Sequence, residues 1–150
     1  MKAFVVLEDG KVFEGKSFGA DGEAFGEVIF NTDMVGYQEI LTDDSNKNKV
    51  VLMTYTMIGN SGISKDYAEN KKICAAGIIV KEACKYPSNF TSVMSLGDYL
   101  QKNSIIGIEG VDTREFTRYI RGGSKKAVLY AKNDTPDLEK LAQKAKNWAN

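Results

Sequence analysis

The stretch that decides the fold is Gly26–Asp43, which reads GEVIFNTDMVGYQEILTD. It begins with an apolar run, Val28–Phe30, and becomes polar directly afterwards. Because β-branched and aromatic residues favour strands, we expect a strand over Glu27–Phe30. The segment Gly36–Leu41 that follows predicts a short helical turn. A strand and a helical turn in close succession indicate a domain that mixes both kinds of element.

Strands are expected to dominate the rest of the first half. The Asp-Gly pair in Glu8–Lys11 predicts a hairpin turn between strands at Ala3–Leu7 and Val12–Phe18. Two buried strands are predicted further along the chain, at Lys49–Met53 and Ile73–Lys81. The charged segment between these two strands has only a weak structural signal.

Helices and strands are expected to alternate in the second half. In chain order they are a helix capped by Ser95, a strand at Ile105–Ile108, a helix capped by Asp112 or Thr113, a strand at Ala127–Ala131 and a last helix beginning at Thr135-Pro136. The last helix has one apolar stripe, which we interpret as core packing: Leu138, Leu141, Ala142, Ala145 and Trp148. This order predicts a layered domain of sheet and helices.

The composition argues against several classes of protein. Lys and Arg together number 20, as do Asp and Glu, so the formal net charge is zero. A nucleic-acid binder usually has a basic excess, and we expect no nucleic-acid partner. We interpret the local basic cluster of Arg118, Arg121, Lys125 and Lys126 as a solvated face or a protein contact. The apolar run Ala75–Val80 is too short to cross a membrane, so no membrane partner is expected either.

The chain contains no histidine, which removes the usual Ser-His and Cys-His nucleophiles and the common zinc sites. Its two cysteines, Cys74 and Cys84, lack CxxC spacing, and we interpret them as small buried hydrophobic residues. A mechanism based on carboxylates such as Glu39, Asp43 and Asp112 stays open. An independent small enzyme is therefore one alternative, although no carboxylate pair stands out.

A series of blocks along almost the whole chain points to one family. In order they are Leu7–Gly10 with Phe13–Gly15, Gly26–Thr32 with Gly36–Asp43, Tyr55–Asn60, Ser88–Phe90, and Gly110–Arg114 with Phe116–Arg118. Ordered blocks with matching separations rarely arise by chance. Through them the chain resembles the N-terminal domain of the small, glutamine-using subunit of carbamoyl phosphate synthetase.

Each block also has a structural interpretation. In that interpretation Asn31 and Thr32 cap a turn, Tyr37 is a core aromatic with a bonded hydroxyl, Asn60 supports the turn at Gly59, Asp112 caps a helix, and Arg114 pairs with Glu109 or Glu115. For any single residue we favour this interpretation. Function is indicated by the clustering of these polar residues at the ends of elements, where sites and interfaces tend to lie.

The resemblance implies an α/β fold of the three-layer β/β/α, swivelling type over residues 1–150, with the class I glutamine amidotransferase domain absent from this chain. It implies a cytoplasmic heterodimeric ligase that makes carbamoyl phosphate from glutamine, bicarbonate and ATP for arginine and pyrimidine biosynthesis. In the family, this domain packs against its own C-terminal amidotransferase domain and the large subunit, and ammonia passes through an internal tunnel.

The same resemblance sets what is expected of this chain alone. No catalytic residue and no cofactor are expected in it, with ATP and the divalent metal bound by the large subunit, and the isolated domain is expected to be inactive. The alternative is an interaction module that shares the fold without a synthetase role.

One site residue follows from the resemblance. The family reads proline-serine-tyrosine after the Glu-Ile-Leu-Thr-Asp run, where this chain has Asp44-Ser45-Asn46. Ser45 is thereby implied to contact glutamine, since a hydroxyl can both donate and accept a hydrogen bond. Loss of the proline is expected to loosen the backbone before Ser45, and loss of the tyrosine removes an aromatic wall. Thr56 in place of a proline is a second departure from the family pattern.

Overall fold

The computed structural model describes residues 1–31, 37–54, 62–84, 92–121 and 126–149. The strands in these ranges are β1 (Lys2–Leu7), β2 (Val12–Ser17), β3 (Gly22–Asn31), β4 (Lys49–Met53), β5 (Ile63–Ser64), β6 (Gly77–Ile79), β7 (Ser92–Met94), β8 (Ile106–Glu109) and β9 (Lys126–Ala131). The helices are α1 (Tyr37–Thr42), α2 (Lys65–Asn70), α3 (Leu96–Lys102), α4 (Thr113–Ile120) and α5 (Leu138–Asn147), and a 3-10 turn covers Asp44–Asn46. The expected mixed α/β class is confirmed.

Seven of the strands close into a barrel in the order β1-β2-β8-β6-β4-β3-β9. The neighbours β3, β4, β6 and β8 run parallel to one another. The remaining pairs around the barrel are antiparallel. Since the four parallel strands point the same way, their carboxyl ends meet at one end of the barrel, which we call the carboxyl edge, and their amino ends meet at the amino edge. Strands β5 and β7 form a separate two-stranded sheet.

The strands alternate between the interior and the outside of the barrel, as a closed sheet requires. In β4, Val50 and Leu52 join the interior cluster, whereas Val51 and Met53 pack against helices outside. The same period places Leu129 inside and Tyr130 outside. A barrel of this size has no lumen, because its inward side chains fill it.

Helix α4 lies over the carboxyl edge and closes it. Its buried residues Phe116 and Ile120 belong to the interior cluster, and the Phe116 ring centroid is 4.5 Å from that of Phe13 on β2. On the same helix, the Tyr119 hydroxyl donates to Oδ2 of Asp9 at 2.5 Å. Because Asp9 is in the β1–β2 turn, this bond fixes α4 to the hairpin.

Two further layers cover the outside of the barrel. Helices α1 and α3 contribute Tyr37, Leu41, Tyr99 and Leu100 to a cluster on the outer face of β4 and β6. Helix α5 packs its small buried residues against the outer face of β1 and β9. None of the helices in the described ranges is long and apolar enough to cross a membrane.

Several elements lie where the sequence predicts them. The first hairpin is confirmed, and β4 has the predicted bounds. Ser95 caps α3 by accepting from the Asp98 N–H at 3.1 Å. Helix α2 occupies the charged segment that has a weak signal in the sequence. The resembling blocks Tyr55–Asn60 and Ser88–Phe90, together with Thr32, Gly36, Thr56 and Lys125, lie outside the described residues.

Three predicted elements are wrong in extent. Strand β3 covers Gly22–Asn31 and not only the predicted Glu27–Phe30, because the residues from Gly22 onward pair with β9. Strand β6 covers only Gly77–Ile79, because the N–H groups of Cys74 and Ala75 donate to the Leu41 carbonyl at 2.8 and 3.1 Å instead of joining a strand ladder. Helix α5 begins at Leu138, after the predicted Thr135-Pro136 start. Its cap is Asp137, whose carboxylate accepts from the Lys140 N–H at 3.1 Å.

Candidate functional site

Ser45 lies in the 3-10 turn between α1 and β4, with its side chain exposed. Its N–H and its hydroxyl both donate to Oδ1 of Asp43 at 2.9 Å. These two bonds, the N–H contribution first, hold the pKa of the Asp43 carboxyl below its usual value. The hydroxyl hydrogen of Ser45 is thus engaged by Asp43, while the oxygen retains lone pairs that can accept a hydrogen bond from a ligand.

The residues beside Ser45 fix the turn to its surroundings. The Asn46 side-chain amide donates to the Ile40 carbonyl at 2.8 Å. The Cys74 thiol lies 3.3 Å from Oδ1 of Asp44. Asp44 and Asn46, which depart from the family pattern, therefore each connect the turn to a neighbouring segment. These contacts hold the turn in place of the proline and tyrosine of the family pattern.

The environment of Cys74 disfavours its ionised form. The hydrogen bond to Asp44, then burial, then the negative charges of Asp44 and Asp43 raise the pKa of the thiol. Since the thiolate is the reactive species, Cys74 is a poor nucleophile. Both Cys74 and Cys84 are free and only half-buried, so the expectation that they are buried is wrong.

A second feature is a groove of about 890 Å³ at the carboxyl edge. Phe30 at the end of β3, Lys81 after β6 and Gly110 after β8 contribute to its wall, together with the first turns of α4. Gly110 has a φ of +83°, a conformation that glycine adopts without the steric cost of a Cβ. The sharp turn there leads the chain from β8 into α4, directly over the barrel.

The groove is strongly cationic. Its basic residues are Lys81, Arg114, Arg118 and Arg121, and its acidic residue among those described is Asp112. We call the surface made by these four cations and Phe30 the basic groove. Asp112 caps α4 by accepting from the Glu115 N–H at 3.0 Å, which confirms its predicted structural role. The predicted pairing of Arg114 with Glu109 or Glu115 is wrong, because neither pair is within ion-pair distance.

The Ser45 turn and the basic groove lie at opposite edges of the barrel. Ser45 precedes β4, and its partner segment at Cys74 precedes β6, so the turn is at the amino ends of these strands. The groove is at their carboxyl ends. The five residues of β4 separate the two edges by about 16 Å. The structure therefore does not bring Ser45 together with the groove.

This separation excludes one carboxylate pair, that of Asp43 with Asp112. Asp43 is at the amino edge and Asp112 at the carboxyl edge, so they cannot act as a pair. Asp43 has a lowered pKa, whereas a carboxyl acid at neutral pH needs a raised one. Within the described ranges, no group of three Cys, Asp or Glu residues is placed to hold a metal ion.

Sequence reasoning noted part of the basic groove and missed the rest. Arg114, Arg118 and Arg121 follow helical spacing of i, i+4 and i+7, which places them along one face of α4. Lys81 and Phe30 are far from α4 in the sequence. Only the parallel pairing of β3, β4, β6 and β8 brings them to the same edge.

Comparison with known proteins agrees with the resemblance. The sequence profile of "Carbamoyl-phosphate synthase small chain, CPSase domain" matches residues 5–129. The chain is 52% identical over 147 residues to the carbamoyl phosphate synthase small chain of Maridesulfovibrio salexigens, which covers 97% of this chain and 39% of that protein. It is 51% identical over 146 residues to the small chain of Syntrophotalea carbinolica, with coverage of 97% and 39%.

One further small chain and one solved structure are less similar to this chain. The small chain of Clostridium perfringens is 44% identical over 151 aligned positions, which cover 100% of this chain and 43% of that protein. A solved aminopeptidase from Aneurinibacillus sp. strain AM-1 overlaps 86% of this chain and 30% of its own, with a TM-score of 0.46 and 14% identity, a similarity too low to support an inference. The chain spans about two fifths of the length of the curated relatives it matches. By its profile match and its identity to these relatives, the chain belongs to the carbamoyl phosphate synthase small chain family and contains its CPSase domain.

Proposed function

We propose that this chain is the N-terminal domain of the small subunit of a glutamine-dependent carbamoyl phosphate synthetase. In this proposal it supports glutamine hydrolysis and ammonia delivery by packing against the amidotransferase domain and the large subunit. The observation that carries the proposal is the alignment of 97% of this chain with 39% of small chains about half identical to it. A segment of that extent fits one domain of a larger subunit.

The remaining parts of the proposal follow from the same assignment. The complex acts as a cytoplasmic ligase that feeds arginine and pyrimidine biosynthesis, and ATP and the divalent metal are bound by the large subunit. The domain is inactive alone and provides no catalytic residue. Its barrel and flanking helices are a form of the three-layer, swivelling-type fold.

Within this proposal, Ser45 contacts the glutamine substrate. The hydroxyl is exposed, and the turn that bears it is fixed by Asp43, Asn46 and Cys74. A pre-oriented hydroxyl loses little conformational entropy when a ligand binds, which strengthens a hydrogen bond to the ligand. Because Asp43 already accepts the hydroxyl hydrogen, Ser45 acts as an acceptor for the ammonium group or amide N–H of glutamine.

A kinetic comparison tests this contact in the full-length subunit assembled with its large subunit. We expect Ser45→Ala to raise KM for glutamine about ten-fold, the cost of one hydrogen bond of about 1.4 kcal/mol, with little change in kcat. Ser45→Thr, which keeps the hydroxyl, should restore most of the affinity. An unchanged KM in Ser45→Ala would remove Ser45 from the glutamine site.

Asn46→Ala is the matched control for this experiment. It removes the Ile40 contact of the turn and leaves the Ser45 hydroxyl in place. If Asn46→Ala raises KM as much as Ser45→Ala, the effect comes from the turn and the hydroxyl makes no contact with glutamine.

The assignment itself is tested by the reading frame beyond Asn150. A continuation with a Gly-x-Cys-x-Gly nucleophile elbow and a later His-x-Glu supports the synthetase subunit. A stop codon at that point would favour an interaction module without a synthetase role.

A further inference from the structure

The cations of the basic groove are arranged in a line. Arg114, Arg118 and Arg121 are exposed along α4 and its last turn, and they lie on one face of the helix. From the first to the last, the helix rises about 10 Å. Lys81, also exposed, adds a fourth charge from the end of β6. A ligand that satisfies all four must therefore extend over at least this distance.

These four charges have no acidic partner within the part of the chain that the structure describes. The ion pairs there join Lys49 to Glu27 and both Lys132 and Lys144 to Glu23. Asp112, the acid in the groove, is engaged as the cap of α4. Against one acid, four bases give the described lining of the groove a net charge of +3, in a chain whose formal net charge is zero.

An exposed aromatic ring lies beside the cations. Phe30 is 45% exposed, and the other large hydrophobic residue exposed to this degree among those described is Met1 at the chain terminus. Phe30 belongs to the same groove as the arginines. Aromatic and arginine side chains are enriched at the centres of protein interfaces, where they act as anchors. The combination is typical of a protein-binding surface.

We propose that the basic groove docks an acidic segment of the large synthetase subunit, with Phe30 inserted as an apolar anchor. The inference rests on the proposed function and names the surface that performs it. If Ser45 contacts glutamine, the amidotransferase domain covers the amino edge. The carboxyl edge, on the other side of the barrel, then stays open to the second partner.

A macromolecular segment fits the groove better than a small anion. The groove measures about 890 Å³, and its arginines occupy successive turns along about 10 Å of helix. One phosphate or carboxylate could meet only part of this line. An extended acidic segment can place a carboxylate opposite each arginine, and such pairs are often bidentate.

Charge reversal in the full-length small subunit tests the proposal. The affinity for the large subunit is measured by surface-immobilised binding at low and at physiological salt. We expect Arg118→Glu with Arg121→Glu to weaken association at least about ten-fold and to flatten its salt dependence. The substituted groove would repel an acidic segment, and added salt would then screen a repulsion as well as the remaining attraction. Phe30→Ser should weaken association without changing the salt dependence.

The matched control is Lys140→Glu with Lys146→Glu. Both lysines are exposed on α5, on another face of the barrel, and the double substitution changes the net charge by the same amount. This variant should bind as the unsubstituted subunit does. Circular dichroism of each variant confirms that it is folded.

The outcomes separate the inference from the function on which it rests. If the unsubstituted subunits associate and the groove variant binds equally well, the groove is not the docking surface and the synthetase assignment stands. If the unsubstituted subunits do not associate, the docking proposal and the synthetase assignment are both wrong. An oligoglutamate peptide should compete with the large subunit, and inorganic phosphate at equal charge should not. Equal competition by phosphate would identify a small-anion site and overturn the proposal.

Discussion

The contact between Cys74 and Asp44 joins the Ser45 turn to the segment before β6. The thiol is 3.3 Å from Oδ1 of Asp44 and 3.4 Å from the Thr42 carbonyl. A thiol has one hydrogen to donate, and a carboxylate is the stronger acceptor. The same bond stabilises the neutral thiol, so one contact both fixes the turn and lowers the reactivity of the cysteine.

This coupling predicts the effect of a single substitution. In a Cys84→Ser background, Asp44→Asn should speed the alkylation of Cys74 by iodoacetamide at pH 8 several-fold, because removal of the carboxylate lowers the thiol pKa and increases the thiolate fraction. Mass spectrometry of the time course gives the rate. Asp98→Asn, which removes an exposed carboxylate on α3, should leave the rate unchanged. If Asp44→Asn is alkylated at the same rate as the protein that retains Asp44, then the contact with Asp44 does not control the reactivity of the Cys74 thiol.

Among the elements, β2 and β8 form the shortest ladder of the barrel. Only Lys16 with Glu109 and Ser17 with Ile108 are paired across it. Gly15, next to this junction, allows the strands to approach closely. A Cβ at this position would lie 2.3 Å from the Glu109 carbonyl oxygen and 2.8 Å from Cγ2 of Ile108. Any side chain there forces the two strands apart.

We therefore expect Gly15→Ala to lower the free energy of unfolding by about 2 kcal/mol, as is usual for overpacking a close contact. Chemical denaturation measures the change. Glu14→Ala alters the adjacent, exposed residue of β2 and should change the stability by less than about 0.5 kcal/mol. Equal stability of Gly15→Ala and the unsubstituted protein would mean that the barrel is not closed through this pair.

The accuracy of the sequence predictions depends on whether local pattern decides the element. Strand β4 and the first hairpin were predictable, because an apolar run and an Asp-Gly turn specify them locally. The length of β6 was not, since the Leu41 carbonyl that captures the amides of Cys74 and Ala75 is remote in the sequence. Closure of the barrel depends likewise on pairings between distant strands.

The residues of the candidate sites also differ in whether a local sequence pattern predicts them. Ser45 came from the resemblance, and no pattern of spacing or charge around it indicates a ligand. Arg118 and Arg121 belong to a basic cluster that the sequence shows, whereas Arg114 lies outside that cluster. Their relation to Lys81 and Phe30 requires the strand order, which composition and periodicity do not contain.

The stability of the molecule as a whole depends on pH in the alkaline range through two buried tyrosines. Burial, with smaller contributions from Tyr67 and Cys74, raises the pKa of Tyr99 to about 12. The hydrogen bond to Asp134, followed by burial, raises the pKa of Tyr130 to about 12. In both, the folded state favours the neutral phenol over the ionised form.

Ionisation of these two tyrosines destabilises the folded protein at alkaline pH. An unfolded tyrosine ionises near pH 10 and these two near pH 12, so their stabilisation is complete below pH 10 and is lost as the pH rises to about 12. The free energy of unfolding should fall over this window. Tyr99→Phe should show a shallower decline, although it loses the bond to the Lys71 carbonyl. If the free energy of unfolding of Tyr99→Phe falls as steeply with pH as that of the unsubstituted protein, then ionisation of Tyr99 is not the cause of the fall.

Closure of the barrel limits how this domain can meet another protein. Each of its seven strands has a hydrogen-bonded neighbour on both sides, so the barrel has no unpaired backbone edge to which a foreign strand could be added. Recognition through the barrel must then use side chains at its ends and on the outer helices, and strand edges are left to the separate two-stranded sheet of β5 and β7. Binding through side chains can be retuned by single substitutions without disturbing the backbone, so the contact surface can diverge between relatives while the barrel stays the same.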